Sequence, residues 1–386
     1  MNIVALKMLV GDRAKYLGII TGLMFASLLI TQQMGIFVGL MIRSYSTITD
    51  MAYPDIWVMD PKVQFIDDIK PMQDTQLYRV RSVEGVEWAT PLYKGLIKAR
   101  LDSGLYQTCI VLGLDDATLI GGPPEMVEGR LADLRQSDAI IVNRIGATEK
   151  LCRSSGRPDG PKIPLKVGDT VELNDHRAVV VGLCDVTRTF QSQPVIYTTY
   201  SRATIFAPIE RKKLTFVLVK AAAGQDKQAL CDRIHRVTGL AAYTKEQFSD
   251  LTVNYYLKYT GIPINFGITV ALGFVVGTAI AGQTFYNFTL DHLRHFGALK
   301  AMGASNGQLL KMIVLQSVLV GAIGYGLGTG AAAGIGYLMR DTSLAFRLPW
   351  QLMAASAAAI GLICTASAIL SMRRVTSLEP AIVFKS

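Results

Sequence analysis

The sequence predicts an α-helical membrane protein with four transmembrane helices, one ahead of and three behind a large external α+β domain. Three observations predict it. Only 18% of the residues are charged and 50% are hydrophobic, whereas ordinary soluble domains carry about a quarter charged residues. Four runs, Tyr16 to Ile42, Ile262 to Leu290, Met312 to Met339 and Leu348 to Met372, contain no Asp, Glu, Lys or Arg. Each reaches the roughly 20 residues that a helix needs to cross about 30 Å of hydrocarbon. Finally, Lys7, Arg13 and Lys15 precede the first run, Arg294 and Lys300 separate the second from the third, and Arg373, Arg374 and Lys385 follow the fourth. Basic residues beside a span are retained on the cytoplasmic side. Both termini are therefore expected in the cytoplasm, residues 44–260 outside, and the chain in the cytoplasmic (inner) membrane as a multi-pass protein. Arg340 and Arg347, in the short outer loop 340–347, run against that rule.

In chain order, residues 1–15 read as an interfacial amphipathic helix. Residues 16–43 form the first span, far longer than the ~7 to 15 apolar residues of a signal peptide, with no cleavage site after it. It is expected to remain as an anchor. The external domain, 44–260, opens with the β-rich DIWVMD, followed by LYRVRSVEG, a short helix ending at Gly85. YKGLIKARL and LYQTCIVLGL read as a hairpin turning at Asp102-Ser103-Gly104. TFVLVK is a strand, Gly224 a break, the stretch before Gly239 an amphipathic helix, and LAAYTK another strand. Together they give porter-like α/β halves of the βαββ plus βαβ kind.

Between the halves lies a β-rich insertion, about 115–213, marked by GGPP, by RPDGPKIP from Arg157, and by a hairpin turning at Asn174 and Asp175. It reads as a second lobe, with PVIYTTYSRATIF a strand running into a short helix. KEQFSDLTVNYYLKYTGI should be a helix continuing as a stalk into the second span, 261–290. The third span, 309–339, places Gly321, Gly324, Gly328 and Ala332 at spacings that let helices approach closely. Its Gly pattern does not follow a strand, so it is no dinucleotide loop. The fourth span is 348–372 and the tail 373–386.

The chain shows no phosphate-binding G-x-x-x-x-G-K-[ST], no G-x-S-x-G, no H-E-x-x-H and no Cys/His cluster. Neither catalytic residues nor metal ligands are expected, and no cofactor. His292 and His295 stand three apart, two ligands without a third. The net charge of +9 is spread along the chain instead of forming a basic stripe with aromatics, so nucleic acid is excluded as a partner. Four of the five cysteines, Cys109, Cys152, Cys184 and Cys231, fall in the external domain, where disulfides and buried free thiols both remain open. Gln32 and Gln33 in the first span, and Gln283, Tyr286 and Asn287 in the second, need partners inside lipid. Hydrogen bonds between helices, with Gln32 and Gln33 facing a second copy, or contacts with substrate would supply them.

Between two uncharged spans the chain reads DHLRHFGALKAMGAS, Asp291 to Ser305. Asp291 is an N-cap candidate, Leu293, Phe296, Leu299 and Ala301 to Met302 lie along a short helix, and Gly303 ends it. So short a helix is marginal alone in water, so its apolar side is expected to pack on something. HFGALKAMGASNGQLLKMIVLQS resembles the cytoplasmic segment of ABC-transporter permeases of the macrolide-exporter (MacB) and cell-division (FtsX) type, in which E-x-G-x-L-K-A-x-G-A precedes the third span. With DHL before it and the outer DIWVMDP, it is nearest the subgroup of the heterocyst glycolipid exporter (DevC) and hemin-exporter permeases. The layout of one span, external domain, three spans and a basic tail is similar too. In the tail, Glu379-Pro380-Ala381 and Phe384-Lys385 stand where the family has P-x-x-A-L-R, and His295 stands where many members carry Glu.

The resemblance implies a coupling helix within 291–308 that docks on a separate ABC ATPase subunit. Its contacts would be Leu293, His295, Phe296, Leu299, Lys300, Met302 and Gly303, with Phe296, Leu299 and Lys300 foremost. It further implies a homodimer, ATP and magnesium bound only by the partner, and ATPase strokes passed to the external domain to expel an amphipathic or lipophilic substrate. A periplasmic adaptor and an outer-membrane channel are further expected partners. The alternative is a signalling subunit whose strokes activate an external hydrolase.

Overall fold

A computed structural model describes residues 2–153, 162–208, 214–340 and 342–376. The breaker run from Arg157, the end of the insertion at Lys213, the tail residues Glu379 to Lys385 and the side chains of Arg373 and Arg374 fall outside this description. The chain divides into two compact units, residues 41–260 and residues 1–40 with everything from 261 onward.

The N-terminal residues form helix α1, Asn2–Gly11, and α2, Arg13–Ser44. The expected amphipathic helix over 1–15 is thus corrected in two respects. It ends at Gly11, with the first long helix starting at Arg13, and apart from the exposed Lys7 its apolar residues fall on both the buried and the open side. Ala5 and Leu9 are buried within the unit while Ile3, Val4 and Val10 are exposed.

Residues 41–260 are built on a ten-stranded sheet in the order β10 (Ala241–Thr244), β1 (Ile56–Met59), β9 (Phe216–Ala221), β2 (Val86–Arg100), β3 (Tyr106–Leu114), β8 (Val195–Thr199), β5 (Ala139–Asn143), β7 (His176–Asp185) and β4 (Glu125–Glu128), with β6 (Thr170–Leu173) pairing β2 and β7. Helix α3, Ser46–Asp50, leads to β1, Ile56–Met59. Then come α4, Thr75–Arg81, β2, Val86–Arg100, and β3, Tyr106–Leu114. The expected helix end at Gly85 falls instead at Arg81, and β2 begins at Val86 and runs for 15 residues. The insertion supplies β4, Glu125–Glu128, β5, Ala139–Asn143, β6, Thr170–Leu173, β7, His176–Asp185, and β8, Val195–Thr199, with α5 over Tyr200–Phe206. Because β8 pairs in parallel with β3, these strands extend the same sheet. The second lobe is a continuation and not a separate body.

The chain returns as β9, Phe216–Ala221, α6, Lys227–Thr238, β10, Ala241–Thr244, and α7, Lys245–Tyr259. Side chains alternate across β1 as a strand's two-residue period requires. Ile56 and Val58 join Leu230 and Ile234 of α6, whereas Trp57 and Met59 join Phe216 and Phe248 on the other face. Local signals set the helix ends. The Asp226 side chain accepts from the Gln228 and Ala229 amides, Gly239 takes φ 74°, and Thr244 and Gln247 cap α7 reciprocally. Cys109, Cys184 and Cys231 are buried free thiols, and burial pushes each up to about 12.

The last residues of this unit correct the expected continuous stalk. Helix α7 stops at Tyr259, Thr260 is extended at φ −121° and ψ 156°, and a new helix, α8, starts at Ile262.

The remaining unit holds α8, Ile262–Asp291, α9, Leu293–Ala301, α10, Asn306–Leu338, and α11, Trp350–Thr376. Among the described residues four helices, α2, α8, α10 and α11, are long and apolar enough to cross a membrane. Their packing is backbone to backbone. A Cβ added to Gly324 would stand 2.7 Å from the Leu23 Cβ, and one added to Gly328 would stand 2.6 Å from the Ser27 Cβ and 2.9 Å from the Leu28 nitrogen. Ser27 bonds across the same seam to Thr329 at 3.3 Å. In the loop ahead of α11, the Phe346 ring fills the space beside Gly35 and Gly336, and the Arg347 amide donates to the Gly35 carbonyl at 3.1 Å.

Candidate functional site

Helix α9 is the charged insert between two apolar helices, and its ends are set locally. Helix α8 continues through Asp291, so that residue is no N-cap; His292 occupies the junction, without a side-chain cap. The Asp291 carboxylate pairs with Lys15, which also meets Asp12 at 3.0 Å. Lys15 holds the Asp12 carboxyl below its ordinary range through a hydrogen bond. The far end closes as a Schellman motif: the Gly303 amide donates to the Lys300 carbonyl and the Ala304 amide to the Leu299 carbonyl, both at 3.0 Å, with Gly303 at φ 95°. Ser305 and Gln308 then form a capping box that starts α10.

Burial sorts the residues of α9 into two stripes. Phe296, only 1% exposed, sits among Ala5, Leu309, Met312, Ile313 and Ala368, with Leu293 and Leu299 packed against the cluster. Phe296 is therefore withdrawn from the expected docking contacts, because its ring fastens α9 to α1, α10 and α11. Gly297 is buried as well, and Lys300 is half-buried. The open stripe is Arg294, His295, Ala298, Ala301 and Met302, the last 76% exposed, with Gly303 beyond it. Spacings of three and four place these residues on one helix face. Sequence reasoning missed Ala298, and it used Arg294 only to orient the chain. The alternation of small and long residues at 294, 298 and 302 was the available signal.

His292 and His295 have ring centroids 5.5 Å apart, and the His292 Nδ1–H donates to the Phe288 carbonyl at 2.9 Å. Among the described residues no group of three His, Cys, Asp or Glu is arranged to hold a metal ion.

The polar residues of the spans fall in separate places. Gln32 and Gln33 are half-buried on α2. On α8, the exposed Gln283 donates to Asn287 at 3.3 Å, and Gln283 and Tyr286 line a groove of about 540 Å³ whose other walls include Phe274, Thr278 and Leu370. A polar residue that the sequence reading passed over, Gln316, is buried and donates to the Ala5 carbonyl at 2.8 Å, joining α10 to α1.

Four membrane-length helices with an α+β domain folded between the first and second define a class, the multi-pass permeases with one large domain inserted after the first span. Residues 17–237 match the MacB-like periplasmic core domain and residues 267–380 the FtsX-like permease C-terminal region. The chain belongs to the MacB/FtsX-type permeases of ABC transporters.

Among curated relatives, an uncharacterized ABC transporter permease of Methanocaldococcus jannaschii is 25% identical over 42% of this chain and 41% of its own length. A protein of Staphylococcus haemolyticus, provisionally named a hemin transport system permease, is 24% identical over 47% of this chain and 46% of its own length. The chain thus spans about half the length of the curated relatives it matches. Two solved domains are similar as well. The extracellular domain of the noncanonic ABC-type transporter YknZ from Gram-positive bacteria has TM-score 0.35 and 10% identity, covering 50% of this chain and 100% of that one. The periplasmic region of MacB from Actinobacillus actinomycetemcomitans has TM-score 0.36 and 15% identity, covering 55% and 96%.

Proposed function

We propose that this chain is the membrane subunit of an ATP-driven exporter, that it hydrolyses no nucleotide itself, and that a separate ABC ATPase grips it through the open stripe of α9. One observation carries the reading: a short helix is fastened from behind by a fully buried Phe296 and presents Met302 outward at 76% exposure. A helix so held transmits a push to α1, α10 and α11 without bending, since packed interiors pass strain instead of absorbing it. Arg294, His295, Ala298, Ala301, Met302 and Gly303 make the docking contacts. Leu299 and Lys300 flank them.

The charge pattern of the sequence supports an inner-membrane location with both termini and α9 in the cytoplasm. Two copies act with two ATPase subunits. Gln32 and Gln33 face the second copy, and Gln283, Tyr286 and Asn287 are held for the same partner or for cargo. The cargo is amphipathic or lipophilic; the name of the Staphylococcus haemolyticus relative makes hemin the first compound to try. A periplasmic adaptor and an outer-membrane channel complete the assembly, and ATP and magnesium reside on the ATPase.

The experiment is co-expression with a candidate ABC ATPase subunit from the same genome. Ala298→Asp combined with Met302→Glu leaves the permease folded and in the membrane, because both side chains are solvent-facing, while co-purification and stimulated ATP hydrolysis fall at least tenfold, about 1.4 kcal/mol of lost contact. An intact complex carrying both changes would refute the docking face.

A further inference from the structure

We infer that residues 41–260 contain a binding cavity for a small acid with an apolar body, anchored on Lys94. The site arises where the sheet changes partners. Strand β2 pairs with β9 only as far as Leu92 opposite Phe216, and from Tyr93 onward it pairs with β3 on its other side. At the parting point the Thr215 hydroxyl serves both backbone groups of Lys94, accepting from its amide at 3.1 Å and donating to its carbonyl at 3.3 Å. β6 joins that edge only at Ala99. The gap left between them is a cavity of about 360 Å³ lined by Asp67, Ile69, Pro71, Tyr93, Lys94 and Leu96, among others.

Two facts give the cavity a ligand chemistry. Lys94 is 1% exposed, yet among the described residues the only acceptor of its Nζ is Asp67, through one oxygen. An ammonium carries three donors and is costly to bury half-satisfied, and Lys94 lines the cavity, so an acceptor bound there would serve its two remaining N–H groups. Asp67 keeps 37% of its side chain in solvent and can be hydrated when its partner is shared. Ile69, Pro71 and Leu96 supply the apolar wall. A carboxylate on a short hydrocarbon or aromatic body satisfies both halves, and the volume is at the lower end of the range for pockets that bury small organic ligands, roughly 300 to 1,000 Å³. The inference does not rest on the export reading; the cavity binds its acid whether the chain transports or signals.

The test uses the full chain in lipid nanodiscs, titrated with 3-phenylpropionate, 3-phenylpropan-1-ol and 3-phenylpropan-1-amine and followed by calorimetry, with empty nanodiscs subtracting partition into lipid. The acid is expected to bind saturably at one site, the alcohol at least tenfold more weakly and the amine not at all. Lys94→Met, which keeps the length of the side chain, removes acid binding. Asp67→Asn, which frees the ammonium from its competitor, tightens it at least about threefold. Absence of saturable acid binding to the wild type overturns the proposal. So does amine binding in preference to acid, or an Asp67→Asn variant that binds acid more weakly. Should Lys94→Met fail to fold, the ligand preference and the sign of the Asp67→Asn effect still decide.

Discussion

Glycine is used in opposite ways in the two units. In the bundle, Gly328 of α10 has ordinary helical geometry and is glycine because Met24, Ser27 and Leu28 of α2 leave no room for a Cβ. In the external domain, Gly239 has nothing within 4 Å of its Cβ position and is glycine because its backbone sits at φ 74°. The difference follows from what each environment leaves unsatisfied. A membrane helix has already bonded its own backbone, so attraction between helices depends on how closely they approach. A strand must borrow its neighbour's backbone, so β-branched side chains fill the core and glycine is reserved for turns and caps. Helix α9 belongs to neither pattern: inside the bundle, it is held by a buried aromatic ring as a soluble core would be.

That exception gives the largest expected effect. Phe296→Ala should destabilise the detergent-solubilised protein by about 3 to 5 kcal/mol, whereas Met302→Ala leaves its melting temperature unchanged. Equal melting of the two variants would place α9 outside the bundle's cooperative unit. Next in size is Gly328→Val, expected to cost about 3 kcal/mol through overpacking. Its control is Gly326→Val on the same helix, where no atom stands within 4 Å; that variant should melt as wild type does. Gly239→Ala comes third. The penalty is conformational alone, about 1 kcal/mol, and replacement by Asn, which tolerates the left-handed region, should recover much of it.

The smallest effect concerns Asp55 of the external unit. Burial would raise its carboxyl, but hydrogen bonds from Lys227 and Lys220, at 2.8 and 2.9 Å, outweigh it and leave the group below its ordinary 3.8. A depressed carboxyl stabilises the fold above its unfolded value and loses that contribution as pH falls through the folded one. Asp55→Asn should therefore cost under about 1 kcal/mol at pH 7, a difference that fades in melts taken below pH 3.8. A deficit that persists in acid would mean that Asp55 acts through shape and not through charge.

The sequence made the architecture legible because hydrocarbon forbids charge: four long uncharged runs admit few other readings. Turns were legible wherever a special backbone needed a special residue, as at Asn174 and Asp175, both at positive φ. What stayed hidden was pairing at a distance. Nothing in YKGLIKARL announces that Lys94 is sealed where β9 leaves β2, or that β8 lies beside β3, since parallel neighbours share no turn. The two faces of α9 were hidden for a related reason. Phe296 and Met302 are both apolar, and only the position of α1, α10 and α11 decides which of them is covered. The capping pair Ser305 and Gln308 was readable from its spacing and went unused.

The aromatic ring of Phe346, lodged in the notches left by Gly35 and Gly336, has a consequence for movement. To part α2 from α10 at that end, a benzyl group would have to be drawn out of a fitted socket and the Arg347 amide stripped from its carbonyl. These two helices are thus riveted at one extremity and zipped by glycine along their length. Helix α8 is the least enclosed of the four, yet it too meets α2 closely, since a Cβ added to Gly277 would stand 2.5 Å from the Ala26 Cβ.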